Sequence, residues 1–499
     1  MKRLPETDGR GFHMMKVSVM LAARENIMPE LSEPGILSIM PVAIALVLAF
    51  YTKDAVFSLA IGCIAGVIIA GLDPASGLSQ LFREALGNED FIWVLMIEIA
   101  VGILVAFYMR SGVISGFTKW ASLKIRSRRA AAGFGWIMGL LVFFSDYFSP
   151  LFSGPIVKPL TDRYKISREM LAYLLDSGSA PVCTLIPLSG WAVFVAGLLI
   201  GYGPINNAHD GMSVFIQSIL YNFYGWFAVI LAGLLAFGII PQFGAMRKAE
   251  ARALKEGKIL RDGATPLTGK EMDIIKPAAD RQTSLFIFLV VPVIIIVGIS
   301  LGSFIIVQSP KILEAFFAAV IYMAIAMSIG RYFENVKDGM DTAMNGIKAV
   351  LPAILILSMS YSINSISRSL GAQQFIISIT ETWMTSFMLP VVAFITGSLI
   401  SFFTGTAWGT YAILIPFVLP VAMNFSDNTL QPIVFLTVGA TISGGIMGDH
   451  CSPVSDTTCL SSFGAGSDHI DHVTTQLPYA ILSGSLAALM FLILGLIFV

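Results

Sequence analysis

Residues 444–462 read GGIMGDHCSPVSDTTCLSS. An apolar run leads into this stretch, which then packs Asp449, His450, Ser452, Ser455, Asp456, Thr457 and Thr458 around Pro453. Proline removes a helix donor and breaks the ladder. In lipid every backbone N–H and C=O must be satisfied, so a broken helix is tolerated only where it is buried in protein or lines a wet cavity. A Pro-centred break bracketed by two carboxylates inside an apolar segment therefore predicts a helical membrane protein whose spans are interrupted on purpose.

The rest of the chain agrees. Of 499 residues 56% are hydrophobic and only 13% charged, about half the charge of a soluble globular protein. Apolar windows of about 20 residues, enough to cross roughly 30 Å of hydrocarbon, alternate with short polar links. A net charge of -1 gives no basic balance and excludes nucleic acid as an expected partner. Cys63, Cys183, Cys451 and Cys459 are too scattered for a disulfide framework. Residues 1–34 read as a tail with an amphipathic turn over 14–23 and lack the apolar core of a secretory signal.

Full spans are expected near 36–52, 55–72, 91–109, 214–240, 284–301, 312–329, 343–363 and 476–498. Four further apolar segments are interrupted: 130–157, 169–200, 388–423 and 431–460. These fall into two matching pairs. Gly112 and Gly371 share their offset with Phe143-Phe144-Ser145 and Phe402-Phe403-Thr404, and SAPVC (179–183) resembles CSPVS (451–455). Charge supports the pairing. Residues 110–129 and 158–168 are rich in Lys and Arg, whereas their counterparts 369–387 and 424–430 contain none. Basic loops stay cytoplasmic, so 130–157 reads as a hairpin dipping from the inside and 388–423 as one dipping from the outside. That is an inverted-topology repeat, an architecture of secondary transporters. The expected organisation is a first transmembrane repeat (35–241), a polar cytoplasmic linker (242–283) and a second repeat (284–499). The tail fits less well, since counting back through three spans places its five basic residues outside.

Chemistry concentrates at the interruptions. Asp146 and Ser145 sit in FFSDYFSP (143–150), at the first hairpin tip. A carboxylate at the bilayer centre costs at least about 2.5–3.5 kcal/mol on insertion scales, which a cation, a proton or a fixed partner would offset; a turn residue reaching water is the plain alternative. The first broken span, LLDSGSAPVCTLIPLSGW (174–191), offers Asp176, Ser177 and Ser179 beside Pro181. Freed carbonyls and hydroxyls are hard ligands suited to Na⁺, although Asp176 also fits a helix cap. In the second broken span Asp449 and Asp456 stand close enough to trade protons for a metal ion, with Ser452, Ser455 and Thr457 beside them. His450 either shuttles the proton or bonds a carbonyl. The second tip, FFTGTAWGT (402–410), is uncharged, and Thr404 and Thr406 present hydroxyls. Four acidic residues, Asp146, Asp176, Asp449 and Asp456, are thus the candidate Na⁺ ligands, a set better matched to a cation than an anion.

Glu98 lies mid-span in VLMIEIAVG, either a proton relay or a packing residue. His469 and His472, in DHIDH, read as an exposed loop. GATPLTGKE (263–271) departs from a phosphate loop in its spacing and in placing Glu271 where Ser or Thr is required. No HExxH or nucleophile elbow appears, so an enzyme is not expected, and no cofactor is implied.

The strings GDHCSPVSDTTCLSS and DYFSPLFSGPIVKPLTDRYKISREMLAYLLDSGSAPVC resemble the NhaC family of sodium/proton antiporters, from about residue 35 to the end. The resemblance implies inverted repeats, Na⁺ and protons as transported ions, and an integral protein of the bacterial inner membrane. Homodimers occur in the wider group. Relatives also move organic substrates, as malate/lactate or amino-acid exchangers. The expectation is therefore a Na⁺/H⁺ antiporter of alternating access, with an organic-acid or amino-acid exchanger as the alternative.

Overall fold

The computed structural model describes residues 35–498, apart from 53, 144–145, 188, 268–274, 279–282, 308–310 and 381–382. The amino-terminal tail with its amphipathic turn lies outside the described residues, as does Ser145.

The described chain is an all-helical bundle without a strand. A 3₁₀ turn (Ile36–Ile39) leads into α1 (Met40–Thr52), α2 (Ala55–Ile69) and α3 (Pro74–Leu86), followed by α4 (Glu89–Ser111) and α5 (Val113–Lys124). The first hairpin is α6 (Arg128–Leu141) and α7 (Phe148–Arg163). A broken segment follows as α8 (Arg168–Ser177), the short α9 (Ala180–Cys183) and α10 (Gly190–Leu199), then α11 (Ala208–Ile219) and α12 (Phe223–Ala236). After α13 (Gly244–Glu256) come α14 (Val291–Val307), α15 (Ile312–Ile329), α16 (Val336–Ser369) and α17 (Ala372–Thr380). The second hairpin is α18 (Leu389–Thr404) and α19 (Ala407–Phe425), the second broken segment α20 (Pro432–Cys451) and α21 (Asp456–Ala465), and α22 (His469–Phe498) closes the chain.

Among the described residues seven helices are long and apolar enough to cross a membrane, or nine if each of two bent pairs counts as one span. The pairs are α2–α3, bent by 112°, and α11–α12, bent by 49°. The single span expected over 214–240 is therefore two helices. Asn222 makes the difference: its side chain accepts from Gly225 N to cap α12, receives a bond from Ser443 at 2.9 Å and donates to Thr184 at 2.9 Å. Large apolar side chains on α14 and α15, such as Ile294, Ile305, Ile321 and Ile329, are exposed, as a lipid-facing surface requires. The fold is that of an integral membrane protein.

Two parallel series of elements repeat. Gly112, between α4 and α5, and Gly371, between α16 and α17, both adopt left-handed backbone, with φ +74° and +77°. Only glycine does so without steric cost. Each long helix is followed by a short one, a hairpin and a broken helix. The hairpins are real folds of the chain. A methyl group placed on Gly135 would lie 3.2 Å from Val157 Cγ1, and these residues are equally far along the chain from Asp146. One placed on Gly397 would lie 3.3 Å from Leu414 Cδ2, across the Gly405–Thr406 turn.

The hairpins enter from opposite faces. At the base of the first, Arg128 pairs with Glu250 of α13 at 2.5 Å, and Arg168 N donates to Ile259 O at 3.1 Å. The base of the second lies against the 200–207 turn at the far end of α10, where a methyl on Gly203 would meet Met423 Sδ at 2.9 Å. The 242–267 part of the linker is a strap rather than a loose connection. Arg252 holds Glu169 of α8 at 2.8 Å, Arg261 holds Asp471 of α22 at 2.8 Å, and Leu267 N donates to Ser467 O at 3.2 Å.

Candidate ion-binding site

Both hairpin tips close on the break between α20 and α21. From the first tip, Tyr147 donates to Asp456 Oδ2 at 2.6 Å. At the second, Ser452 donates to Phe402 O at 2.7 Å, and a methyl on Gly405, itself left-handed at φ +68°, would lie 2.5 Å from Val454 O. Trp191 of α10 stacks on Trp408 of α19 with ring centroids 4.0 Å apart, and Trp191 lies beside Asp146. The tips are thus tied to the break and, through the indoles, to the first broken segment.

Local chemistry shapes the break. Ser455 caps α21 by accepting from Thr458 N, and Pro453 supplies no donor. Asp449, the third residue from the end of α20, accepts from Ser455 Oγ at 2.9 Å and Thr457 Oγ1 at 3.1 Å. Asp456 accepts from Thr457 N at 2.8 Å as well as from Tyr147. Asp449 lies within electrostatic range of Asp456, Asp176 and Asp146. Asp146, Asp176 and Asp449 are at most 3% exposed, and Asp456 is partly exposed.

Asp176, the last residue but one of α8, has a shell of its own. It receives Ser461 at 3.0 Å, Thr458 at 3.3 Å and Gln476 Nε2 at 2.6 Å. Gln476 Nε2 also donates to His450 O. His450 bonds Ser177 Oγ through Nε2 at 3.2 Å and Tyr224 OH through Nδ1 at 2.7 Å. Asp146 accepts from Tyr147 N at 3.1 Å, while its Oδ2 is buried with no hydrogen-bond partner among the described residues.

Among the described residues no group of three Asp, Glu, His or Cys side chains is arranged to hold a metal ion. The acids lie on different elements, each with its own donors, so a bound cation would draw most of its ligands from hydroxyl and carbonyl oxygens. Thr404 is buried and donates back to Ile400 O at 2.8 Å. Thr406 begins the turn into α19, where its carbonyl accepts from Thr410 at 2.8 Å. Ser179 donates to Asp176 O at 2.7 Å.

His469 and His472 are buried rather than in an exposed loop. They open α22, and Ser462 Oγ lies 3.0 and 2.8 Å from their Nδ1 atoms. His472 Nε2 bonds Gln476 Oε1 at 2.8 Å, which joins it to Asp176. The strap covers this end of α22, and nothing in DHIDH signals that cover. Tyr147, Tyr224, Ser461 and Gln476 were not singled out from sequence. Tyr147 and Ser461 lie inside the quoted motifs, whereas Gln476 begins an apolar span and looks like an interface residue.

A model of the "Na+/H+ antiporter family" matches residues 193–496, more than half of the chain. An uncharacterised protein of Haemophilus influenzae is 31% identical over 92% of this chain and 90% of its own length. The arginine/ornithine antiporter ArcD of Halobacterium salinarum is 32% identical over 34% of this chain and 33% of its own. The Na⁺/H⁺ antiporter NhaC of Alkalihalophilus pseudofirmus is 25% identical over 35% of this chain and 37% of its own. The resemblance read from GDHCSPVSDTT holds, and with it the reading of a transporter rather than an enzyme: the chain belongs to the Na⁺/H⁺ antiporter family.

Proposed function

We propose that this antiporter exchanges Na⁺ for protons at the break between α20 and α21. The observation that carries the reading is Asp449, buried and held by Ser455 and Thr457, with Asp456, Asp176 and Asp146 in electrostatic range. Desolvation makes two ionised carboxylates at such a place unfavourable unless a cation joins them. A proton and a sodium ion therefore compete for the same negative charge, and competition is itself a coupling mechanism. The site crosses loaded with one or the other. Residues 35–241 and 284–499 act as two inverted repeats joined by 242–283, and rocking one part of each repeat against the rest gives alternating access.

A second reading is exchange of an organic acid or amino acid with Na⁺ or H⁺ as co-ion. The similarity to ArcD favours it. Against it, among the described residues the side-chain hydrogen-bond partners of the Asp176 and Asp449 carboxylates are hydroxyls and an amide, with no guanidinium or ammonium to receive a substrate carboxylate.

The test is purified protein in proteoliposomes with an internal pH dye and an acid interior, given Na⁺, Li⁺ or K⁺, and then malate, lactate or arginine separately. Alkalinisation by Na⁺ or Li⁺ alone is expected, lost in Asp449→Asn and Asp456→Asn while both variants elute as folded protein. A response that waits for an organic solute establishes the second reading. Wild-type rates in both variants sink the assignment of the site.

A further inference from the structure

Glu98 lies on α4, outside the cluster just described, and is fully buried. Among the described residues neither of its carboxylate oxygens has a hydrogen-bond partner. Its place follows from the pairing of α4 with α16. Arg110 meets Asp338 at 2.7 Å, a methyl on Gly102 would lie 2.6 Å from Gly346 O, and Phe91 packs on Tyr361 with centroids 5.3 Å apart. The two helices are antiparallel, so Glu98, one turn from Gly102 and on the same face, is level with Pro352 and Ala353. Cys459 of α21 reaches Ala353 O at 3.9 Å and is within electrostatic range of both Glu98 and Asp456. Cys459 thus stands between Glu98 and the break.

An ionised carboxylate with neither donor nor counter-ion is costly in hydrocarbon. Glu98 therefore carries a proton in this conformation. As packing it is a poor choice, because a neutral acid with two unsatisfied oxygens is worse than an aliphatic side chain of similar size. Leu357 occupies the position that the Gly112–Gly371 offset makes its counterpart in the second half. What Glu98 offers that leucine does not is a proton to hold and release.

We propose that Glu98 is a second proton carrier of the exchange cycle, separate from the carboxylates that compete for the cation. The inference rests on the Na⁺/H⁺ reading. The proton leaves the Glu98 O–H for water when the packing of α4 against α16 and α21 opens to one side, and returns from water on the other, with no further co-reactant. The ionisable groups around it are few. Cys459 and Asp456 lie on α21, Tyr147 lies beyond Asp456, and Tyr361 is on α16. On α16, Asp338 and Asp341 lie toward the Arg110 end, Arg368 toward the other, and Lys348 is exposed. α15 brings Glu314 in its first turn and Tyr322, whose hydroxyl donates to Ile287 O at 3.2 Å.

The experiment measures the reversal potential of Na⁺-driven proton flux in proteoliposomes, with voltage set by a potassium gradient and valinomycin. Wild type, Glu98→Gln and Glu98→Leu are compared, with thermal unfolding as a check on folding. Both variants are expected to exchange Na⁺ with one proton fewer per cation, to shift the reversal potential accordingly, and to unfold no earlier than wild type. A wild-type reversal potential in both overturns the proposal, as does loss of exchange together with loss of Na⁺ binding, which would mark Glu98 as packing for the site. If the wild-type protein itself shows no Na⁺-driven proton flux, the Na⁺/H⁺ reading fails first, and this inference with it.

Discussion

Tyr147 donates its phenolic hydrogen to Asp456 Oδ2 at 2.6 Å, so the tip of the first hairpin is bonded to the first residue of α21. A hydrogen bond to a charged group is worth about 1.5–3 kcal/mol. Tyr147→Phe keeps the ring and its edge-on contact with Trp93 but removes that bond. The half-saturating Na⁺ concentration in the proteoliposome assay is expected to move by about ten- to a hundredfold, in line with that energy. An unmoved value would separate Tyr147 from the transport site.

Gln476 satisfies three buried groups at once: Asp176, the His450 carbonyl and His472. Replacing it by leucine leaves all three without that partner, and each unsatisfied group costs about 1–3 kcal/mol. Gln476→Leu is expected to lower the thermal midpoint of the detergent-solubilised protein clearly. Wild-type unfolding would show that neighbouring hydroxyls take over its bonds.

Backbone meets backbone where α7 crosses α21. A methyl on Gly154 would lie 2.3 Å from Gly464 O, and one on Gly464 would lie 2.3 Å from Pro150 O. Neither obstacle is a flexible side chain. Gly154→Ala and Gly464→Ala are both expected to cut the yield of monodisperse protein, whereas Gly197→Ala, with nothing within 4 Å of the added carbon, should behave as wild type. Size-exclusion profiles of the three variants decide it.

Within the strap, the ion pairs are unequal. Glu169 is 2% exposed and its partner Arg252 is 18% exposed. Removing one partner of a buried pair leaves the other charge uncompensated, at about 3–5 kcal/mol, so Arg252→Ala should destabilise by about 3 kcal/mol. The exposed Lys258–Asp262 pair is screened by water, and Lys258→Ala should leave unfolding unchanged. Equal shifts in the two variants would mean the strap does not hold α8.

Much of this arrangement was legible in the chain. Proline, aspartate and hydroxyl residues inside apolar runs marked both broken helices, because lipid tolerates such residues only for a reason. The glycine offset marked the repeat, and the left-handed backbone at Gly112 and Gly371 supplies its physical cause. Less legible was anything that depends on what covers a residue. His469 and His472 have the composition of a surface loop and are buried only because the strap lies over them. Asn222 lies within the expected span 214–240 and Gln476 at the start of another, and neither position shows that its side chain bonds across helices. The sharp turn into α3 begins at Asp73, whose carboxylate caps that helix through Ser76 N at 2.9 Å, a signal visible once Asp73-Pro74 is read as a helix start.

The Gly154–Gly464 crossing also bears on how the two halves are made and how they move. The hairpin of the first half is seated on the broken helix of the second, and Trp191 of the first half is stacked on the hairpin of the second. Each half thus supplies a wall of the other's interior, and neither is a free-standing module. Synthesised apart, the halves would present bare, mismatched surfaces to lipid until they met. Assembled, they are clasped, so a displacement of the α20–α21 break carries both tips along with it.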